Sequence, residues 1–228
     1  MDSRTRPEAA AAIVAAGRRL GARGLISAGE GNLSVRLDPD RLLVTPSGRR
    51  KDELTEADLV VVWRGHDRPA DAAGGPTPTS DLAIHLAIHD ARPDIVAVAH
   101  AHLPAAMALT LAGEQPDPAA LPETALLLQR LPIVPFAAPG STALAEAVAA
   151  AFTAPPAPLP MAVLVERHGA IAVGADSDQA VDRLELVEVL CRTWRDALLL
   201  RLARSLPGIV SEPGTRPPPG AGPSTEGA

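Results

Sequence analysis

Residues 78–102 read PTSDLAIHLAIHDARPDIVAVAHAH. Thr79-Ser80-Asp81 is a helix-start signal, because hydroxyl and carboxylate side chains accept from the free N–H groups of a first turn; Asp81 therefore sits at or near that turn. Leu82, Ile84, Leu86 and Ile88 carry the helix onward. Arg92-Pro93-Asp94 breaks it, and Ile95 to Ala99 reads as a short buried strand. That strand runs into His100-Ala101-His102. Side chains alternate along a strand, so His100 and His102 share a face. Two imidazoles at a strand end suit a metal ion, and equally suit a pair of partly buried histidines satisfied by the protein. A third ligand is needed for a metal site, and the chain offers His168.

The chain has 228 residues, the length of one domain or of one domain with a tail. Its apolar fraction of 46% supports a real core, rich in alanine, with two Trp, two Phe and no Tyr. The missing tyrosine removes one candidate acid from any mechanism. A net charge of −6 with no long basic run argues against a nucleic-acid partner. A small anionic substrate remains open, because local backbone N–H groups can outweigh a mild net charge. The single cysteine, Cys191, excludes an internal disulfide and fits a reducing compartment; its helical context assigns it to packing. No apolar run reaches membrane-spanning length, and MDSRTRPEAA lacks the apolar core of a signal peptide. No membrane partner is expected, and the expected location is cytoplasmic.

Residues 1–5 read as frayed, and Pro7 to about Arg23 as an alanine-rich helix. Residues 24–36, GLISAGEGNLSVR, give a Gly-rich turn and then a half-buried strand through Leu33, Val35 and Leu37. The turn is either a plain tight turn or an anion-binding loop, since glycine lets backbone N–H groups approach a ligand closely. Leu42-Leu43-Val44 completes a hairpin and ends in Thr45-Pro46-Ser47-Gly48, again a turn of small residues. Arg49, Arg50 and Lys51 follow, either as a solvated surface or as a contribution to phosphate attraction. Leu54–Leu59 carries a helix-turn pattern and Val60–Trp63 a third strand. Residues 64–78 form a polar connection whose His66 is assigned no role. Pro104–Leu111 and Ala143–Phe152 read as helices, and Ile133–Phe136 and Met161–Val165 as strands. The last of these leads to the turn Glu166-Arg167-His168-Gly169 and a return strand, Ala170–Val173, so His168 stands at a strand end. Ser177 to Ser205 is the longest helix. Residues 206–228 are rich in Pro, Gly and Ser and read as a disordered tail.

Five blocks now stand in order: Gly31-Asn32-Leu33-Ser34-Val35-Arg36, Thr45-Pro46-Ser47-Gly48, Thr79-Ser80-Asp81 with His85, His100-Ala101-His102, and His168-Gly169. Over about residues 8–203 the chain resembles the class II aldolase/adducin head family. The resemblance implies an α/β fold over residues 1–205, a three-layer α/β/α sandwich around a mainly antiparallel central sheet. It implies a divalent cation, usually Zn2+, on His100, His102 and His168. Asp81 falls on the family's catalytic carboxylate, which also ligates the metal when substrate is absent. Gly31, Asn32, Ser47, Gly48, Thr79 and Ser80 fall where a substrate phosphate is held. The expected assembly is a homotetramer with the active site at a subunit interface. The implied activity is a zinc-dependent aldehyde-lyase that cleaves a ketose 1-phosphate, of the fuculose or ribulose kind, to dihydroxyacetone phosphate and an aldehyde.

Two departures bear on that activity. Aldolase members carry Glu where this chain has Asp81, whereas the epimerase subgroup carries Asp. The aldolase and the epimerases also use a tyrosine, and this chain has none. Glu123 lies where that tyrosine would fall and is a candidate substitute, its plainer role being a solvated cap. These departures keep a sugar-phosphate 4-epimerase, dehydratase or decarboxylase as the alternative, with a non-enzymatic adducin-like module behind them. A rival ligand set of Asp81, His85 and His89 lies on one helix face, but such ligands on a straight helix spread over about 12 Å.

Overall fold

The computed structural model describes residues 5–64 and 76–205. His66, most of the 64–78 connection, the first four residues and the 206–228 tail lie outside the described residues. Two compact units are distinguished, residues 1–195 and 196–228. The sheet lies in the first. Of the second, the structure describes the end of the last helix.

The chain begins with helix α1 (Arg6–Ala22), where the Glu8 carboxylate accepts from the N–H and hydroxyl of Thr5 and Pro7 stands in the first turn. Strands β1 (Asn32–Arg36), β2 (Arg41–Val44) and β3 (Val60–Trp63) form a meander. Then come α2 (Leu82–Ala91), β4 (Ala97–Ala101), α3 (Pro104–Leu111), α4 (Pro122–Leu127), β5 (Ile133–Val134), α5 (Thr142–Thr153), β6 (Ala162–Val165), β7 (Gly169–Gly174) and α6 (Ser177–Ser205). Among the described residues the seven strands form one sheet in the order β3-β2-β1-β4-β7-β6-β5.

The sheet is mixed, which corrects the expected mainly antiparallel one. Pairings from β3 through β6 are antiparallel, but β5 joins β6 in parallel, with Val134 opposite Val165. The reason is the connection. Helix α5 links β5 to β6, and a helical crossover returns the chain in the same direction where a tight turn would reverse it. The β5 strand is also shorter than its apolar pattern, Ile133–Phe136, because Pro135 has no N–H to continue the ladder.

Helices α2 and α5 pack on each other and on one sheet face. Ile84, Ile88, Leu144, Val148 and Phe152 meet Val98, Val163, Val165, Ile171 and Val173 in one buried cluster. Ser34 lies opposite Val98, and Asn32 opposite His100. The pleat therefore turns Asn32, Ser34 and Arg36 toward the same face as α2, and all three are buried. Strand β4 begins two residues later than its apolar run and extends to Ala101, because β1 and β7 pair with it on both sides. His100 is thus inside the strand. Cys191 is buried and its thiol is pushed up to about 12 by that burial, in keeping with packing. No helix among the described residues is long and apolar enough to cross a membrane.

The turn between β6 and β7 presses against the end of β4. Gly169 has φ +108, and a Cβ there would lie 2.2 Å from the Ala101 carbonyl oxygen. Backbone meets backbone, so neither side can swing away. Gly169→Ala is expected to cost about 3 kcal/mol or more. A denaturant titration reads this directly, and an unchanged midpoint would show that the turn is not held there.

Candidate active site

Three imidazoles converge where β4 ends beside the β6–β7 turn. His100 comes from β4, His102 from the residue after Ala101, and His168 from the turn. Each offers a ring nitrogen, and these atoms lie within 4.8 Å of one another. The ring centroids are 4.7–5.0 Å apart. His100 and His168 are buried and His102 is half-buried.

The hydrogen bonds set which nitrogen faces inward. His100 Nδ1 lies 2.9 Å from the Ala170 carbonyl oxygen, an acceptor only, so Nδ1 carries the proton and Nε2 is bare. That Nε2 is buried with no partner, as is His168 Nδ1. His102 Nδ1 lies 2.9 Å from Glu30 Oε2, which orients the ring and leaves Nε2 free for a ligand. Burial lowers the His100 ring to about 3, helped by the neighbouring imidazoles, and burial also lowers His168. Neutral imidazoles with unpartnered buried nitrogens fit a divalent cation, and three protein ligands leave the open position a catalytic metal needs. The Glu30 and Ala170 contacts are the outer hydrogen bonds that such ligands use.

Asp81 stands at the start of α2, buried, with Oδ2 3.8 Å from His100 Nε2. Burial pushes its carboxyl up. The neighbouring His100, a 2.8 Å bond from Asn32 Nδ2 and His168 outweigh this and hold it below the usual carboxylate range. Asp81 is therefore an ionised carboxylate beside the triad, placed to take a proton or to join the ligand set.

The expected phosphate-holding residues are brought side by side. Ser47 N–H donates to the Thr77 carbonyl at 2.9 Å, and Thr79 N–H to the Thr45 carbonyl at 3.1 Å, so Thr45–Gly48 lies along the entry to α2. Gly29 packs on Gly48, and Gly31, with φ +72, sits against the His100 carbonyl. Ser47, Gly48 and Ser80 are exposed, and Thr79 is buried with its hydroxyl 3.3 Å from Asp81 N. Both ends of the Asn32 amide are engaged, Nδ2 on Asp81 and Oδ1 2.6 Å from His85 Nε2.

The alternative ligand set does not assemble. Ser34 Oγ stands between His85 Nδ1, at 2.7 Å, and His89 Nε2, at 3.0 Å, and both rings are buried. Glu123 is exposed in the first turn of α4. Of the three basic residues after Gly48, Arg49 and Arg50 are exposed and pair with Asp58, Asp52 and Glu53. Lys51 is buried, and its Nζ donates to the carbonyls of Gly29 (2.6 Å) and Arg49 (2.7 Å), tying the two loops together. The sequence reading gave no role to Glu30 or Ser34, and gave Lys51 a solvated or phosphate-attracting one where the structure buries it as a tie between loops. Glu30 could have been flagged as the one acid among small residues in its loop, whereas Ser34 and Lys51 carry no local signal.

The chain belongs to the Class II Aldolase and Adducin N-terminal domain family, whose model matches residues 11–195. It is similar to the methylthioribulose-1-phosphate dehydratase of Acidiphilium cryptum, at 35% identity over 78% of this chain and 85% of the relative. It is similar to the 3-oxo-tetronate 4-phosphate decarboxylase of Haemophilus influenzae, at 33% identity over 77% and 81%. Among solved structures it matches the L-fuculose-1-phosphate aldolase of Thermus thermophilus with a TM-score of 0.74 and 27% identity, covering 88% of this chain and 98% of that one.

Two outcomes follow from the geometry. Glu30→Gln removes the charge that orients His102, so zinc affinity, read by competition with a coloured chelator, is expected to fall about 10–100-fold; unchanged affinity would show that Glu30 does not support the ligand. The second concerns acid. Burial lowers His85 to about 4 and holds His89 well below its ordinary value. With folded values below 6.5, the unfolded chain takes up protons first as pH falls. Stability from these neutral rings is complete above about pH 7 and is lost from 6.5 down to about 4. The urea midpoint of metal-free protein is expected to drop between about pH 7 and 5, with about 2 kcal/mol from His85 alone. A midpoint that does not move contradicts neutral burial.

Proposed function

We propose that the chain is a divalent-metal-dependent lyase acting on a phosphorylated ketose, and that its reaction is loss of water from a methylthioribulose 1-phosphate-type substrate. The observation that carries this is the single ionised carboxylate, Asp81, 3.8 Å from the inward nitrogen of a three-histidine cluster. The dehydratase relative at 35% identity, the Asp in place of Glu and the absence of tyrosine all favour dehydration over aldol cleavage. A cation on His100, His102 and His168, with Zn2+ the expected ion, supplies Lewis acidity toward a substrate carbonyl.

The chain's residues do the rest. The Thr45–Gly48 loop, Gly31 and the Thr79-Ser80 entry to α2 hold the phosphate, drawing on backbone N–H groups and a helix start. Asp81 takes the proton from the carbon next to the carbonyl and returns it to the departing hydroxyl. One carboxylate suffices, because donor and acceptor lie on adjacent carbons. Asn32 keeps Asp81 turned toward the triad. Aldol cleavage to dihydroxyacetone phosphate is the second reading, favoured by the structural match to the Thermus aldolase. The proposal includes a three-layer α/β/α catalytic unit over residues 1–205, a 206–228 tail, a homotetramer with the site at a subunit interface, and a cytoplasmic setting.

The test is product analysis by NMR with zinc-loaded protein on methylthioribulose 1-phosphate, fuculose 1-phosphate and 3-oxo-tetronate 4-phosphate. Water loss from the first is expected, reduced at least about 100-fold in Asp81→Asn. Dihydroxyacetone phosphate from the second alone would install the aldolase reading. No product from any, with the cation bound, would overturn the lyase assignment.

A further inference from the structure

A line of buried polar groups runs away from Asp81 through the layer between β1 and α2. Asn32 Nδ2 is 2.8 Å from Asp81 Oδ2, and Asn32 Oδ1 is 2.6 Å from His85 Nε2. His85 Nδ1 is 2.7 Å from Ser34 Oγ, which is 3.0 Å from His89 Nε2. His89 Nδ1 is 3.3 Å from an Arg36 terminal nitrogen. Every member is buried, with His85 at 1% and His89 at 0% exposure.

The two ends fix the direction of every bond between them. Guanidinium N–H groups only donate, so His89 Nδ1 accepts and a neutral His89 carries its proton on Nε2. Ser34 Oγ accepts that proton's bond and turns its own O–H to His85 Nδ1. His85 then carries its proton on Nε2 and donates to Asn32 Oδ1, which leaves Asn32 Nδ2 to donate to Asp81. Starting from the carboxylate, which only accepts, gives the same sequence in reverse. A cation at one end and an anion at the other both favour this one alignment, and aligned hydrogen bonds in a dry interior strengthen each other.

We propose that Ser34, His85 and His89 are positioning residues that, through one directed hydrogen-bond chain from Arg36, hold Asn32 and hence the Asp81 carboxylate in the orientation the reaction uses. The proposal rests on the reading of Asp81 as the proton-moving group. It gives a reason for two histidines on α2 that stand outside the ligand cluster, and for a serine inside a buried strand. It also explains why Asn32 faces the carboxylate with its amide nitrogen: the Nε2–H of His85 needs an acceptor, and only Oδ1 of the amide can serve.

Two-bond proton–nitrogen spectra of the zinc-loaded, 15N-labelled full chain test this at about pH 7, with His85→Gln and His89→Gln assigning the rings. Both rings are expected to be neutral with the proton on Nε2, and Ser34→Ala is expected to move the His85 Nδ1 resonance downfield as its donor is lost. Either ring protonated on Nδ1, or charged, would overturn the chain. With the phosphorylated ketose that the assay above shows to be turned over, Ser34→Ala is expected to lower kcat about tenfold with KM within about twofold, and Ser34→Thr, which keeps the hydroxyl, to recover most of the loss. An unchanged kcat in Ser34→Ala would overturn the positioning role. The ring tautomers are read whether or not any substrate reacts, so failure of the chain and failure of the lyase assignment are told apart.

Discussion

The pairing of β4 with β7 is the constraint on which the site depends. Ala101 lies opposite Ala170 and His100 opposite Ile171, so the β6–β7 turn closes over the end of β4 with His168 at its tip. Gly169 permits that closeness, because only a residue without Cβ fits against the Ala101 carbonyl. The same register gives the Ala170 carbonyl to His100 Nδ1 and so fixes which nitrogen points inward. A one-residue slip would turn His100 to the other sheet face and separate the three rings.

Around this pairing the chain places costly groups in a dry setting. The imidazoles of His100 and His168, both buried, lose water without gaining a proton. Their bare nitrogens represent desolvation that a cation would offset, as expected of a site built for binding rather than for stability alone. Asp81 is the reverse case. It keeps its charge because the amide of Asn32 donates to it in place of water it has lost. The apolar cluster beneath, from Phe152 to Val173, holds α2 and the sheet in fixed relation, so that these polar groups cannot relax apart.

Much of this was legible in the sequence, and for local reasons. The helix start at Thr79-Ser80-Asp81, the strand before His100 and the turn at His168-Gly169 carry signals that depend on neighbours in the chain, and the structure brings Asp81 beside the histidine cluster. What was not legible depends on pairing between distant segments. The parallel joining of β5 to β6 follows from which way α5 crosses, which no local pattern records. Lys51 looked like part of a basic surface run, yet tertiary contact buries it between two loops. Ser34 became a hydrogen-bond link only when α2 laid His85 and His89 over β1.

The central claim is that His100, His102 and His168 hold a divalent cation with a position left open. X-ray absorption at the zinc edge of the zinc-loaded chain tests it most directly. About three imidazole nitrogens near 2.0–2.1 Å are expected, with one or more oxygens, and that signature is expected to be lost in His168→Ala. Zinc that binds with no imidazole shell, or that keeps the same shell in His168→Ala, would contradict it.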